Sequence, residues 1–412
     1  MRSEWKGRAV FLIILIAIAY GAFVALIWKD AVLPKRETPL IQIASPFDGA
    51  LVREGQELIV HSVAIGRGVV RIELWVDGIP LTATVNPHPQ EGGFSATQRW
   101  KAEGCGRHIL FVRACDEAGQ VGTSPSLSIT VVPEGKIAFA TNRDGFYRIY
   151  TMFTDGSEQV AFASGKVKGR EPSFASDGRL AFSSTSQDGT DDIWLMEADG
   201  SGLRKLTDDS ADDHDPVWSP DGEAIAFSSD LSGRCQVYVM DKEGGERLKL
   251  TQGGTYAGQP TWSPDGLELA FTSERDGNWD IYKVRADGTG LVRLTDHPAK
   301  DWFPAWSPKG DKIAFVSNRG GTYQIYVMGA DGSHQTKLTD FPSGAEQPDW
   351  SPDGSWIVFI AYTGHGKRFD AREIYLMPAD GGYQLRLTDN ACDDTEPTWY
   401  QGPGAAVSHE LP

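Results

Sequence analysis

An aromatic residue followed by Ser-Pro-Asp-Gly, or by a near relative of it, returns at a fixed spacing along most of this chain. The aromatics are Phe174, Trp218, Trp262, Trp306, Trp350 and Trp399. Their successive intervals are 44 residues four times over and 49 at the last. Self-similarity at such a period marks an array of one supersecondary unit, stacked because no single copy can bury its own faces.

Each unit carries four strand signals. Pro216-Val217-Trp218 opens one of them, and the turn Ser219-Pro220-Asp221-Gly222 follows. An apolar run comes next at 224–227, with counterparts at 137–139, 180–182, 269–271, 313–315 and 357–359. A third strand is signalled by Ile149-Tyr150, Ile193-Trp194, Val237-Tyr238, Ile281-Tyr282, Ile325-Tyr326 and Ile374-Tyr375. Asp-Gly pairs at 199–200, 287–288, 331–332 and 380–381 supply turns with positive φ. A last short strand ends in Leu-Thr, as at Leu206-Thr207 and Leu294-Thr295. Four antiparallel strands in such a unit predict a propeller blade.

The array starts at Lys136 with a second strand and stops at 396–400 with a first strand. The two incomplete ends complement each other. The last strand is therefore expected to complete the blade begun by 136–162, leaving no open edge. Six first and six second strands then make an all-β, six-bladed β-propeller over residues 136–400. The Pro-x-Trp-Ser-Pro-Asp-Gly runs, the apolar-Phe-x-Ser strands such as 225–228 and the Asp-Gly turns before Leu-Thr resemble the TolB-like propeller family. Trp-Asp repeat propellers fit less well, because the Gly-His and terminal Trp-Asp pairs are missing. The TolB-like resemblance implies an exported binding or scaffold protein and names no ligand.

Ahead of the repeats, the stretch from Ala9 to Trp28 runs twenty residues without a charge. As a helix it would rise about 30 Å, the thickness of a bilayer's hydrocarbon core. That exceeds the roughly 7–15 apolar residues of a cleaved signal. A retained transmembrane signal anchor is expected at 9–28, after a short tail at 1–8 and before a linker at 29–40. Arg2, Lys6 and Arg8 balance Lys29, Lys35 and Arg36, and the N-terminal amine tips the count. The chain is thus expected to be a single-pass protein of the cell membrane. Its C-terminal domains would lie outside the cytoplasm, in the periplasm or at the cell surface.

Residues 41–133 read as short alternating strands, clearest at 58–63, 70–76, 106–113 and 127–132, with a hairpin signal at Asp77-Gly78. This fits an immunoglobulin-like β-sandwich. The segment resembles the bacterial Ig-like family through Ser45-Pro46-Phe47-Asp48-Gly49, Glu73-Leu74-Trp75-Val76-Asp77-Gly78, and Ala114-Cys115-Asp116-Glu117-Ala118-Gly119 followed by Gly122-Thr123-Ser124. That resemblance implies a spacer or adhesive module, and Trp75 is expected in its core. Residues 401–412 are read as a flexible tail.

A net charge of −17 and the lack of any basic stripe argue against nucleic acid as a partner. Cys105 and Cys115 flank a strand whose extended length, roughly 33 Å for ten residues, far exceeds the ~7 Å that a disulfide spans. They are not expected to pair. No G-x-S-x-G, H-E-x-x-H, C-x-x-C, EF-hand loop or phosphate-binding loop occurs in the sequence. Catalysis is therefore not expected.

One constellation could bind a ligand. The residue before each repeat proline should stand beside the central channel: Glu171, Asp215, Gln259, Phe303, Gln347 and Glu396. Glu396, Glu171 and Asp215 fall on consecutive blades. With Asp208, Asp209, Asp212, Asp213, Asp389, Asp393 and Asp394 in adjoining loops, they predict one strongly acidic half of the mouth. Lys300, Trp302 and Phe303 mark the other half. Such a mouth suits a basic peptide, a divalent cation such as calcium, or a sugar stacked on Trp302. The plainer reading is a set of solvated loops whose acids cap turns. The function expected is an anchored extracytoplasmic binding or scaffolding protein, with a protein, peptide or glycan on the loop face. The alternatives are a glycan lyase or hydrolase, which a convergent His/Asp/Arg cluster would favour, and a purely structural envelope protein.

Overall fold

The computed structural model describes residues 38–90, 92–163, 165, 167–186, 189–362 and 371–400. The stretch from Ala9 to Trp28 and the tails at 1–8 and 401–412 lie outside them. Among the described residues no helix is long and apolar enough to cross a membrane, and every regular element is a β-strand. The chain divides into two units, Met1–Val132 and Pro133–Pro412.

The first unit has a three-stranded sheet in the order Leu40–Ser45, Glu57–Ile65, Gly93–Lys101. A larger sheet runs Leu51–Arg53, Leu127–Val132, Gly106–Asp116, Val69–Val76, Ile79–Val85, with Val121–Thr123 also on Gly106–Asp116. Val60 and Ala64 from one sheet meet Ile72, Leu74, Leu110 and Val112 from the other in one core. Asp77 and Gly78 turn the hairpin with φ of 50° and 80°, the pair of positive angles that matches strand twist. None of the four cysteines forms a disulfide, and the strand Gly106–Asp116 separates Cys105 from Cys115 as expected.

Trp75 is not in that core, contrary to expectation. Strand alternation sends Ile72, Leu74 and Val76 inward, so Trp75 stands on the opposite face. There it stacks on Phe111 at 5.8 Å, and the Arg113 guanidinium lies 4.2 Å from its ring centre. Its Nε1 donates to Glu73 at 3.2 Å, which satisfies the indole without burial.

Among the described residues the second unit contains six four-stranded antiparallel sheets. Five are continuous in sequence, for instance Asp213–Trp218, Ala224–Ser229, Gln236–Asp241 and Leu248–Lys249. The sixth is composite. The final strand Asp394–Tyr400 pairs with Lys136–Thr141, matching Tyr400 to Lys136 and Asp394 to Thr141. The expected closure is therefore present. The inner strands Arg170–Phe174, Asp213–Trp218, Ala257–Trp262, Asp301–Trp306, Ala345–Trp350 and Asp394–Tyr400 touch in that order, and the last meets the first.

Each sheet is packed alike. The second-strand phenylalanines Phe139, Phe182, Phe227, Phe271, Phe315 and Phe359 are all buried. A third-strand tyrosine lies beside most of them, such as Tyr238 at 5.9 Å from Phe227 and Tyr282 at 6.0 Å from Phe271. The Leu-Thr ending also has a job. The Thr251 hydroxyl accepts the Val237 N–H at 3.0 Å and donates to Gln236 Oε1 at 2.9 Å. Thr207, Thr295, Thr339 and Thr388 accept the equivalent N–H groups of Ile193, Ile281, Ile325 and Ile374. Asp-Gly glycines sit at the seams between sheets. A Cβ on Gly332 would stand 2.5 Å from the Leu294 carbonyl oxygen of the preceding sheet, so only glycine fits.

A set of fully buried acids is matched by cations within the same sheets: Asp301 with Arg319 at 2.9 Å, Asp280 with Arg293 at 2.7 Å and Asp394 with Arg143 at 3.1 Å. Removing one partner of a buried pair strands a charge, at a cost of about 3–5 kcal/mol. Arg319→Ala should thus lower stability by about that amount in denaturant titration, and adding Asp301→Asn should restore part of it. Equal losses in the single and double variants would contradict the pairing.

Candidate functional site

The inner strands share one irregularity. Each slips register in the middle, between Arg170 and Ser173, His214 and Val217, Gly258 and Thr261, Trp302 and Ala305, and Glu346 and Asp349, with a matching slip opposite Thr395 and Thr398. The residue before the proline sits at this bulge in the left-handed region: Glu171 at φ 52°, Asp215 at 50°, Gln259 at 58°, Phe303 at 49°, Gln347 at 55° and Glu396 at 54°. Such angles cost a non-glycine residue about 1–3 kcal/mol and persist only where surroundings fix them.

What fixes them is a relay across the seams. A bulged N–H has lost its ladder partner, and the neighbouring strand's side chain takes it. Glu396 accepts the Glu171 N–H at 2.8 Å, and Glu171 accepts the Asp215 N–H at 2.8 Å. The Gln259 N–H donates to Ser228 Oγ at 2.9 Å, and that hydroxyl donates to Asp215 at 3.0 Å. Gln259 accepts the Phe303 N–H at 3.2 Å, and Gln347 accepts the Glu396 N–H at 3.0 Å. At the remaining seam Phe303 offers no acceptor to the Gln347 N–H.

These six residues, their prolines and the residues after them line one axial cavity of about 180 Å³. A second cavity, at the end of the Ser-Pro-Asp-Gly turns, shares Ser173, Val217, Thr261, Asp349 and Thr398 with it, so one layer of residues borders both. Six of the seven expected ligand residues are thereby brought together. Trp302 is not part of this lining. It stacks on Tyr323 at 4.8 Å and meets Trp279 at 6.1 Å and Phe303 at 5.8 Å, while Trp279 meets Tyr256 at 4.8 Å. Trp302 thus belongs to an aromatic row that meets the lining at Phe303.

The sequence reading missed the hydroxyls behind the lining. Ser183 donates to Glu171 at 2.8 Å and Thr272 to Gln259 at 2.8 Å, as Ser228 does to Asp215. All three directly follow the second-strand phenylalanine. In the other three sheets that position is Val316, Ile360 or Ala140, so the change from hydroxyl to aliphatic was the available signal.

The acidic half of the mouth is narrower than expected. Lys205 pairs with Asp208 at 2.5 Å, Arg247 with Asp209 at 2.5 Å, Arg386 with Asp389 at 2.8 Å and Arg372 with Asp393 at 3.1 Å, and Asp213 and Asp394 are buried. The repeat places a cation of the same or an adjoining sheet against most of these loop acids. What faces the channel is Glu396, Glu171 and Asp215. Burial, together with the charges of one another, pushes all three carboxyls above the usual carboxylate range. Arg170 pairs with Glu396 at 2.6 Å, and His214 Nδ1 lies 3.6 Å from Asp191. Among the described residues no three His, Cys, Asp or Glu side chains form a group that could hold a metal ion.

The TolB beta propeller domain family matches the sequence over residues 120–259 and 254–369. The chain belongs to this family. Among solved structures, TolB from Acinetobacter baumannii superposes with a TM-score of 0.57 at 21% identity, covering 72% of this chain and 80% of that one. A putative TolB from Agrobacterium tumefaciens does so at 0.50 and 26% identity, covering 62% and 89%. Hydrazine synthase of Kuenenia stuttgartiensis reaches 0.54 at 18% identity, covering 66% of this chain and 48% of that one. No curated protein matches. The family match covers the sheets that carry Glu171, Asp215, Gln259, Phe303 and Gln347.

A raised carboxyl pKa means that the folded TolB-family chain holds more protons than the unfolded chain between the two pKa values. This contribution is fully present below the unfolded pKa and is lost as pH rises through the folded one. The unfolding midpoint of the repeat unit should therefore fall as pH rises above the usual carboxylate range. Glu171→Gln keeps an acceptor for the Asp215 N–H and removes the charge, so it should raise the midpoint at the upper pH and flatten the slope. An unchanged slope in calorimetry would show that Glu171 is not the titrating group.

Proposed function

We propose that this chain is an extracytoplasmic binding protein, a six-bladed propeller whose channel mouth recognises a partner protein. A retained anchor at 9–28 would hold it to the membrane, and the first unit would serve as an Ig-like spacer. Six closed sheets with a composite last one support the blade count. Two facing sheets with one core support the sandwich, and twenty uncharged residues support the anchor.

The observation that carries the reading is the two-sided lining of the mouth. In ring order the acids Glu396, Glu171 and Asp215 stand opposite Gln259, Phe303 and Gln347, beside the aromatic row. Chemically distinct walls on a ring stiffened by cross-seam bonds give a recognition surface that need not be ordered on binding.

A glycan-active enzyme is the second reading, favoured by His214, Asp191 and Arg170 gathering near the three carboxylates. Against it, the His214–Asp191 separation of 3.6 Å exceeds hydrogen-bond reach. Glu396 is moreover engaged through both oxygens, with Arg170 and with the Glu171 N–H, where an acid or base needs a free oxygen.

A photo-cross-linking residue in place of Lys300, at the mouth, should trap a partner protein when the full chain is expressed in its own cells. The same residue at exposed Leu267, beside a Ser-Pro-Asp-Gly turn, should not. Equal labelling at both sites, or none, would defeat the mouth as the binding face. Deleting residues 9–28 should move the chain out of the membrane fraction, and its retention there would remove the anchor from the proposal.

A further inference from the structure

We propose that the outer face of the larger sheet in the first unit lies on an anionic phospholipid bilayer, with Arg113 meeting the lipid phosphates. This rests on the retained anchor proposed above and goes beyond it, from a tether to a docking surface.

Strand register sets the face out in rows. Val85, Arg71, Cys115 and Val121 are partners across four strands, and Ala83, Glu73, Arg113 and Thr123 make the next row. Trp75 lies beside Pro80 and Phe111 in the third. These residues point away from the core, because their neighbours Ile72, Leu74, Val112 and Ala114 point into it. The outer face of such a sheet is ordinarily polar. Here Val85 is 72% exposed and Val121 46%, flanking arginines and stacked rings. Apolar side chains grouped on one face and rimmed by charge mark a surface that meets a partner or a membrane.

Arg113 says what the surface meets. Its guanidinium lies 4.2 Å from the Trp75 ring centre and 5.5 Å from that of Phe111, and its Nε is buried without a hydrogen-bond partner. The carboxylate opposite it in the ladder is Glu73, and both Glu73 oxygens are taken, Oε1 by Arg71 at 2.7 Å and Oε2 by the Trp75 indole at 3.2 Å. Rings rather than an acid therefore hold Arg113. A guanidinium shelved on aromatics is suited to a phosphate, which it can grip with two N–H groups. Trp75 adds an indole of the kind that settles at the headgroup level.

The tether favours a bilayer over a protein. Nine residues separate the expected anchor, ending at Trp28, from Thr38, the first described residue. Fully extended they reach about 30 Å. Pro39 is buried, and a Cβ on Gly122 would stand 1.7 Å from its carbonyl oxygen. Gly122 lies between Val121 and Thr123, so the chain joins the unit at the edge of this face. So short a link keeps the membrane at a high effective concentration, and a weak contact then suffices.

Photo-cross-linking in the full chain, reconstituted into lipid nanodiscs, tests this. A photo-reactive residue in place of Val85 should form phospholipid adducts in discs containing phosphatidylglycerol. The same residue in place of Ile59, exposed on the other sheet, should form far fewer. Discs of phosphatidylcholine alone should lower the Val85 yield about fivefold, the weight of one arginine at an anionic surface. Arg113→Gln should lower it by about as much in phosphatidylglycerol discs, and Arg113→Lys, which keeps the charge, should lower it less. If Arg113→Gln does not fold, the two lipid compositions still decide. Equal adducts at Val85 and Ile59, or equal yields at Val85 in both lipids, would overturn the proposal. Chain-to-chain cross-links at Val85 in place of lipid adducts would show a second copy on the face and overturn it as well. A chain that elutes apart from the discs loses the anchor, and this proposal with it. A chain that co-elutes without Val85 adducts keeps the anchor and loses only the docking face.

Discussion

The repeat unit depends on how a bulged strand disposes of one backbone N–H. Six inner strands place a residue with positive φ before a proline, and each bulge breaks the ladder inside its own sheet. A buried N–H without a partner is costly. The neighbouring side chain removes that cost only if it lies within hydrogen-bond reach, so each sheet constrains the position of the next. Strain within a sheet is thereby offset by a bond between sheets, and the closing strand Asp394–Tyr400 takes part at both of its seams through Glu396.

The rest of the packing follows from the same arrangement. Buried phenylalanines fill each sheet, Leu-Thr threonines tie its third strand, and Asp-Gly glycines let neighbouring sheets approach closely. Buried acids are tolerated because an arginine or lysine of the same sheet answers most of them. This also explains why so acidic a chain leaves few acids free at the mouth. Most loop carboxylates are held in pairs, and the three that face the channel hold backbone, hydroxyl or arginine groups.

The lining is asymmetric although the repeat is regular. Glu171, Asp215 and Gln259 are backed by hydroxyls, whereas Phe303, Gln347 and Glu396 have Val316, Ile360 and Ala140 behind them. A channel with one hydroxyl-backed arc and one aliphatic-backed arc presents different chemistry to the two sides of an entering segment. Regular scaffolds acquire specificity in this way: the fold needs only an acceptor at most seams, which leaves each position free to vary.

Spacing alone determined the strand order, the composite sheet and the six channel residues, because a repeat with fixed offsets places equivalent residues at equivalent points of every sheet. Alternation likewise marked the strands of the first unit, and only its aromatic was misplaced: Trp75 looks like core in composition, while its parity in the strand sends it outward. The sequence could not tell which acids are free. Arg247 answers Asp209 across 38 positions of chain, and Arg143 reaches Asp394 across 251. Nor could it reveal that Glu171, Gln347 and Glu396 spend oxygens on neighbouring strands, or that Trp302 turns from the channel onto Tyr323. Those are facts of proximity across seams. A seam exists only once the sheets are packed, and which side chain faces a given N–H is decided by the rotation of one sheet against the next, which no local pattern encodes.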